Sequence, residues 1–184
     1  NKEGQPSDHG HEAKSAELSR EIMARLRYPE KFSKLIVWLV AEHMRFAPML
    51  LTGEKALLRW VRSEATSGTF RNQKELTNAY ELLVEVFLAD MGATHASKNQ
   101  RLMDDGRSLG EQVIALAREK MPVVTSDLAI SGKDLLEIIP QAQIKNALPY
   151  LLERVQSGNL ANEKEALLSA LKKNLSKHND SFQN

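Results

Sequence analysis

The strongest constraint in this sequence is the helical spacing of its apolar residues, which persists over most of the chain. From Glu12 to Arg27, apolar side chains recur at helical spacing, as they do along the buried face of an amphipathic helix, and further apolar stripes of this kind follow up to residue 120. The only convincing non-helical apolar run is Met121-Pro122-Val123-Val124-Thr125. The sequence therefore predicts an all-α fold.

Breaks and capping residues place the helix boundaries. Predicted helices cover about 12–27, 31–46, 72–90, 99–120, 131–138, 141–155 and 162–175. A further helix is predicted between the second and third of these, with Thr52 as its N-cap and Gly68 at its end. Breaks are expected at Tyr28-Pro29 and at Ala47-Pro48, because proline disfavours helical geometry in the residue before it. Gly92 is predicted to cap the fourth helix, before a loop at 93–98.

The non-helical run at residue 121 divides the predicted helices into two groups. We expect a disordered or partial lead-in over 1–11, a helical body over 12–121, a small helical tail domain over 122–177 and a frayed end over 178–184. The opening residues are polar and begin with Asn1, which suits a truncated or processed start. The apolar stripes that carry Trp38 and Trp60 predict that both indoles lie in the core.

Composition removes several classes of protein. The chain has no cysteine, which excludes disulfides, zinc-thiolate sites and cysteine nucleophiles. Its formal net charge is +1, so any contact with nucleic acid must be local. No window approaches the roughly 18 apolar residues of a membrane span, and no apolar stretch near the start suits a secretory signal. We therefore expect a cytoplasmic protein without a membrane partner.

Histidines near the start are the first candidates for metal chemistry. His9, His11 and Glu12 lie within four residues, and His43 is the one further histidine placed to join them. This spacing differs from the His-Glu-x-x-His pattern, in which both imidazoles share a helical face. Phosphate-binding glycine loops and nucleophile elbows are absent from the sequence. We predict no catalytic residue and no metal ligand here, with His9, His11 and His43 as the alternative metal set.

Four basic residues are candidates for phosphate binding. Arg59 and Arg62 are three positions apart on one predicted helix, and Arg45 lies near the end of the preceding one. Lys133 lies at a Ser-Gly helix start, where backbone N–H groups attract anions. A different interpretation pairs the arginines with acidic neighbours on the surface, namely Glu42, Glu54 and Glu64, and takes Ser131 as an ordinary N-cap. The sequence alone leaves both interpretations open.

Several strings resemble, in order, the carboxy-terminal half of bacterial tRNA nucleotidyltransferases of the CCA-adding and poly(A) polymerase family. The resemblance covers about residues 9–173. It is carried by Ser15-Ala16-Glu17-Leu18, Leu39-Val40-Ala41-Glu42-His43-Met44-Arg45, Ile130-Ser131-Gly132-Lys133-Asp134-Leu135-Leu136 and Gly158-Asn159-Leu160-Ala161-Asn162-Glu163. It implies that the first helices are related to HD phosphohydrolase domains and that the last ones form the family's tail domain.

The same resemblance implies a function. Enzymes of this family bind magnesium and ATP or CTP in a catalytic head and add nucleotides to an RNA 3′ end, while body and tail hold the acceptor and TΨC arms of tRNA. The head is absent from this chain, so we expect a fragment that needs no cofactor, is inactive by itself, and has tRNA and its own missing head as partners. Arg45 and Lys133 are the residues to which RNA contact is best assigned.

Two other functions stay open. The three histidines would suit the back half of a metal-dependent HD phosphohydrolase, and exposed apolar faces would suit a protein-interaction module. Within the leading hypothesis, nothing in the sequence separates CCA addition from poly(A) addition, since the head selects the nucleotide.

Overall fold

The protein is all-α. The computed structural model describes residues 11–93 and 100–179, and it contains no strand within those ranges. The α-helices are α1 (His11–Arg25), α2 (Glu30–Glu42), α3 (Phe46–Met49), α4 (Glu54–Thr66), α5 (Gln73–Ala93), α6 (Gln100–Ala115), α7 (Gly132–Leu136), α8 (Gln141–Gln156) and α9 (Lys164–Asn179). Short 3₁₀ turns cover His43–Arg45 and Thr125–Asp127, and a π-helical turn covers Leu116–Lys120.

The chain folds into two compact units, each built from two separate stretches of sequence. Unit 1 combines Asn1–Gly53 with Ala79–Glu111, and unit 2 combines Glu54–Asn78 with Gln112–Asn184. Helices α5 and α6 each cross from one unit to the other. The predicted tail, 122–177, lies wholly within unit 2, and the predicted boundary between body and tail at residue 121 stays a prediction.

Aromatic pairs organise the core of unit 1. The Trp38 indole meets the Tyr80 ring edge to face at 5.4 Å between centroids, and Phe46 stacks on Phe87 at 4.8 Å. All four side chains are buried. Trp38 therefore lies in the core, as its place on the apolar stripe predicts, and such pairs add to the stability that burial of the rings provides.

The turn between α1 and α2 has an unusual residue at its capping position. The Tyr28 N–H donates to the Met23 carbonyl and the Arg27 N–H donates to the Ala24 carbonyl, which is the Schellman arrangement for a helix end. Glycine usually occupies the left-handed position of this motif, whereas here Arg27 occupies it with φ of 56°. That conformation costs about 1 kcal/mol for a residue with a Cβ.

The predicted break at Ala47-Pro48 is wrong. The α-helix ends at Glu42, the 3₁₀ turn follows, and Pro48 lies in the first turn of α3. Proline is accepted there because the first N–H groups of a helix have no partner within the helix. The predicted break after Arg27 is confirmed, since Tyr28 and Pro29 lie outside both flanking helices.

Two predicted caps also differ from the structure. Thr52 donates its hydroxyl to the Met49 carbonyl at the end of α3, and α4 begins only at Glu54. Gly92 lies inside the last turn of α5, which runs to Ala93. A helix tolerates one glycine near its end, so its presence there did not fix the boundary. The rest of the predicted loop after Ala93, residues 94–98, lies outside the described residues.

The tail segment of unit 2 has a core of its own. It is formed by one buried face from each of α7, α8 and α9 together with the segment before α7, and its buried members are Leu128, Ile130, Leu135, Ile139, Ala147, Leu151, Val155, Leu167 and Leu171. The helices predicted over 131–138, 141–155 and 162–175 correspond to α7, α8 and α9. Elsewhere in unit 2, Trp60 is 1% exposed, which confirms its predicted place in the core.

Among the helices that the structure describes, none combines the length and apolarity that a membrane span requires.

Candidate nucleic-acid interface

An open groove of about 620 Å³ lies beside the start of α7. Part of its wall comes from the string between Ile130 and Leu136, one of the two that resemble the tail domain. Hydroxyl groups, a carboxylate and apolar side chains line it together, from Thr125, Ser126, Leu128, Ala129, Ile130, Ser131, Gly132, Asp134 and Leu148. Leu128 and Ile130 are buried in the tail core. The groove therefore has an apolar base and a hydrogen-bonding rim.

The Asp127 carboxylate fixes the segment that enters this groove. Its Oδ2 atom accepts hydrogen bonds from the backbone N–H groups of Val123 at 3.0 Å, Val124 at 3.0 Å and Gln73 at 2.9 Å. Gln73 is the first residue of α5, so the carboxylate also meets the positive end of that helix. The Gln73 side chain in turn donates to the Ala117 carbonyl in the π-helical turn.

Two side-chain amides hold the same segment from α8 and from the turn before α9. The Asn162 amide oxygen accepts from the Ala129 N–H at 2.8 Å, while its nitrogen donates to the Asp127 carbonyl at 3.0 Å. Gln156 donates to the Pro122 carbonyl at 2.9 Å. Backbone groups that no helix satisfies are thus paired, and the irregular segment is held in one conformation.

The start of α7 is closed by a reciprocal cap. Ser131 is the N-cap: its hydroxyl accepts from the Asp134 N–H, while the Asp134 carboxylate accepts from the Ser131 N–H at 2.8 Å and from its hydroxyl at 2.6 Å. Lys164 at the start of α9 donates to the other oxygen of the same carboxylate. This confirms Ser131 as the predicted N-cap.

These contacts lower the pKa of Asp134 far below its ordinary value. The Lys164 ammonium is the largest cause, followed by the hydroxyl and the backbone N–H of Ser131. The same ion pair raises the pKa of Lys164. A carboxyl whose pKa is lower in the folded protein stabilises the fold above its unfolded pKa of about 3.9, and that contribution is lost as the pH falls below this value.

We predict that Asp134→Asn lowers the melting temperature at pH 6 and that this deficit shrinks as the pH falls from 5 to 2. Thermal melts of the wild type and the variant across that range measure the difference. In a Lys164→Gln background the pH dependence of the deficit should be smaller, because the largest cause of the lowered pKa is gone. A deficit that stays constant from pH 5 to pH 2 would contradict the proposed role of the ion pair.

Lys133 follows Gly132 in the first turn of α7, but the anion site predicted at this helix start has a different occupant. The Asp134 carboxylate and the Ser131 hydroxyl already meet the first N–H groups of a helix only five residues long. A phosphate would be repelled there by the carboxylate. Lys133 itself is exposed, so its own contact with phosphate stays a prediction.

Arg59 and Arg62 occupy different environments on α4. Arg59 is exposed, whereas Arg62 is partly buried and its Nε atom has no hydrogen-bond partner among the described residues. The Arg62 Nη2 atom lies 3.0 Å from the position that a Cβ on Gly158 would take. Gly158 has φ of 72°, so both its conformation and this close approach require glycine. Arg62 therefore packs against the turn before α9. Arg59 is the one of these two arginines that is open to a phosphate.

Arg45 belongs to unit 1, whereas the other three candidates belong to unit 2. Its Nη1 atom donates to Glu42 at 3.0 Å, which is the surface pairing that the sequence offered as the other interpretation. The arginine side chain keeps 40% exposure, so this pair leaves part of the guanidinium accessible. RNA contact by Arg45 stays a prediction.

The histidines are partly brought together. The His11 and His43 rings meet edge to face at 5.7 Å between centroids, and the His43 Nδ1 atom bonds to the Val40 carbonyl. Within residues 11–93 and 100–179, no group of three or more metal-binding side chains is found. His9 lies outside the described residues, so the alternative set of three histidines is not tested as a whole.

Sequence reasoning missed the residues that build the groove. Asp127, Gln156 and Asn162 act on backbone groups more than thirty positions away, and no local pattern reveals such partners. One signal was available: Asp127 follows an apolar run that is too short and too irregular to satisfy its own backbone. Such a segment needs polar side chains from elsewhere in the fold.

Searches of protein-family models, of curated proteins and of solved structures found no match to the chain.

Proposed function

We propose that this chain is the RNA-positioning carboxy-terminal part of a tRNA nucleotidyltransferase of the CCA-adding or poly(A)-adding type. Its body and tail would hold the acceptor and TΨC arms of tRNA, and a catalytic head with magnesium and ATP or CTP would carry out nucleotide addition. The chain by itself would bind RNA without adding nucleotides to it.

One observation carries the proposal: the two strings that resemble the family's tail pack against each other. Ser131 to Leu136 form the capped start and body of α7, and Asn162 of the second string bonds to the segment directly before it. Lys164, just after the second string, pairs with Asp134 of the first. Residues thirty positions apart thus share one site, which supports the interpretation that the two strings belong to one tail domain.

The chemistry of the groove favours contacts to ribose and to the backbone over contacts to bases. Hydroxyl groups of Thr125, Ser126 and Ser131 line it, and the charge of Asp134 is paired with Lys164. An RNA helix presents ribose 2′-hydroxyls in a wide, shallow groove, which proteins recognise by shape and by hydrogen bonds. The exposed Lys133 on α7 would supply the phosphate contact that sets position on the RNA.

Filter binding of an unmodified tRNA transcript across a salt series tests the proposal. The double variant Arg45→Gln, Lys133→Gln should lower the slope of log Kobs against log salt by about two, because each phosphate contact contributes close to one. The circular dichroism spectrum should be unchanged, since both side chains lie at the surface.

The matched control is Arg101→Gln with Arg107→Gln. These arginines are exposed on α6 and paired with Asp105 and Asp104, so the control removes the same charge from ordinary surface pairs. It should leave the salt slope within experimental error of the wild type. Equal slopes for the wild type and the Arg45, Lys133 variant would overturn the proposed contacts, and absence of tRNA binding at low salt would overturn the function.

A further inference from the structure

The corner between α1 and α2, residues 24–32, is exposed at every position although it carries three large apolar side chains. Leu26 is 58% exposed, Tyr28 48% and Phe32 45%. The two rings lie beside each other with centroids 5.4 Å apart and planes tilted by 36°. Large apolar side chains grouped at the surface mark a binding site more often than single ones do.

The charge around these rings is positive. Between residues 25 and 34 the chain has four basic residues and one acidic residue, Glu30, which is paired with Lys34 at 2.8 Å. Arg25 and Arg27 are exposed, and neither forms an ion pair within the part of the chain that the structure describes. The nearest acidic residue on α1 is Glu21, one turn before Arg25.

Arg27 provides an independent indication that the corner is used. It occupies the left-handed position of a helix cap, where glycine would be free of strain. Here the strained position bears a long cationic side chain, directly before Tyr28 in the sequence. Strained residues of this kind are concentrated at binding sites, where the side chain gives an advantage that offsets its conformational cost.

We propose that this corner binds single-stranded nucleic acid, with bases stacking on Tyr28 and Phe32 and phosphates contacting Arg25 and Arg27. Aromatic faces next to cationic side chains are the common means by which proteins hold single strands without reading their sequence. The surrounding positive charge favours this occupant over an apolar protein helix, which gains nothing from the arginines. The inference does not depend on the proposed tRNA contacts, since none of its four residues takes part in them.

Fluorescence anisotropy with labelled ten-nucleotide oligomers tests the site, using homopolymers of both RNA and DNA and the full chain. The variant Tyr28→Leu, Phe32→Leu keeps apolar side chains and removes the rings. We expect its affinity to fall at least about tenfold for every homopolymer that the wild type binds. Tyr28→Phe keeps the ring and should remain within about twofold of the wild type.

The arginines have a separate readout. Arg25→Gln with Arg27→Gln should lower the salt slope of single-strand binding by about 1.4, as expected when two phosphate contacts to a single strand are lost. Arg27→Gly should weaken binding while raising the melting temperature by about 2–4 °C, because glycine relieves the left-handed strain. The control is Leu18→Ala with Leu51→Ala, which removes exposed apolar side chains elsewhere in unit 1. It should change neither the affinity for single strands nor the salt slope of that binding.

Three outcomes would overturn the proposal. The first is no binding of any homopolymer at low salt, and the second is equal binding by the leucine variant, which would show that bases do not stack on Tyr28 and Phe32. The third is a preference for duplex over single strands. Loss of tRNA binding by the Arg45, Lys133 variant with intact oligomer binding would separate this site from the proposed function.

Discussion

Asp127→Ala should lower the free energy of unfolding by about 2–4 kcal/mol, because three backbone N–H groups lose a charged acceptor at once. One of these groups starts α5 and the other two belong to the irregular segment before the groove. Urea denaturation measures the loss. Hydrogen exchange should also show faster exchange at Gln73, Val123 and Val124.

Two controls separate this effect from a general sensitivity of the segment. Asp127→Asn keeps an acceptor oxygen without the charge and should cost about half as much as the alanine variant. Ser126→Ala changes the exposed neighbour and should stay within about 0.5 kcal/mol of the wild type. A cost below about 0.5 kcal/mol for Asp127→Ala would show that the segment is held without its carboxylate.

Gly110→Ala should destabilise the protein by about 1–3 kcal/mol, although alanine is the better helix former by about 1 kcal/mol. A Cβ at this position of α6 would lie 2.6 Å from Cγ1 and 3.0 Å from Cγ2 of Val84 on α5. Valine has one strongly preferred rotamer in a helix, so it cannot turn away. Urea denaturation of the variant and the wild type measures the change.

The neighbouring glycine and a double variant test the cause. Gly106→Ala would place its Cβ 3.0 Å from a Phe87 ring atom and 3.3 Å from the Met91 sulfur, and methionine adjusts easily. Its expected effect is within about 1 kcal/mol of zero. In a Val84→Ala background both contacts of the new methyl group are gone, so Gly110→Ala should be neutral or stabilising there. An equal cost in both backgrounds would show that steric contact with Val84 is not the reason.

Much of the fold was predictable because helical spacing and local caps are properties of neighbouring residues. The helices of the tail and the Ser131 cap were predicted from such signals and are confirmed. Where a local signal has two meanings, the prediction was wrong. Pro48 either ends a helix or begins one, and Gly92 either caps a helix or continues it, and the choice depends on packing that local sequence does not contain.

The site was less predictable than the fold. Asp127 reaches Gln73 across 54 positions, and the exposure of Tyr28 and Phe32 emerges only once the rest of unit 1 has packed. Arg59 and Arg62 show the same limit, since equal residues on one predicted face have different surroundings in the folded chain. Spacing along a helix determines on which face of the helix a side chain lies. Whether that face is buried depends on which other element covers it.

The discontinuity of unit 2 has a consequence for synthesis of the protein on the ribosome. Its first segment, which contains α4 with Leu57, Trp60 and Val61, emerges before residues 79–111 of unit 1 and well before the remainder of unit 2. At about 5–20 residues per second, the intervening stretch takes a few seconds to appear. During that time the apolar face of α4 lacks the partners that the later part of unit 2 supplies, so on the nascent chain this face is open to chaperones.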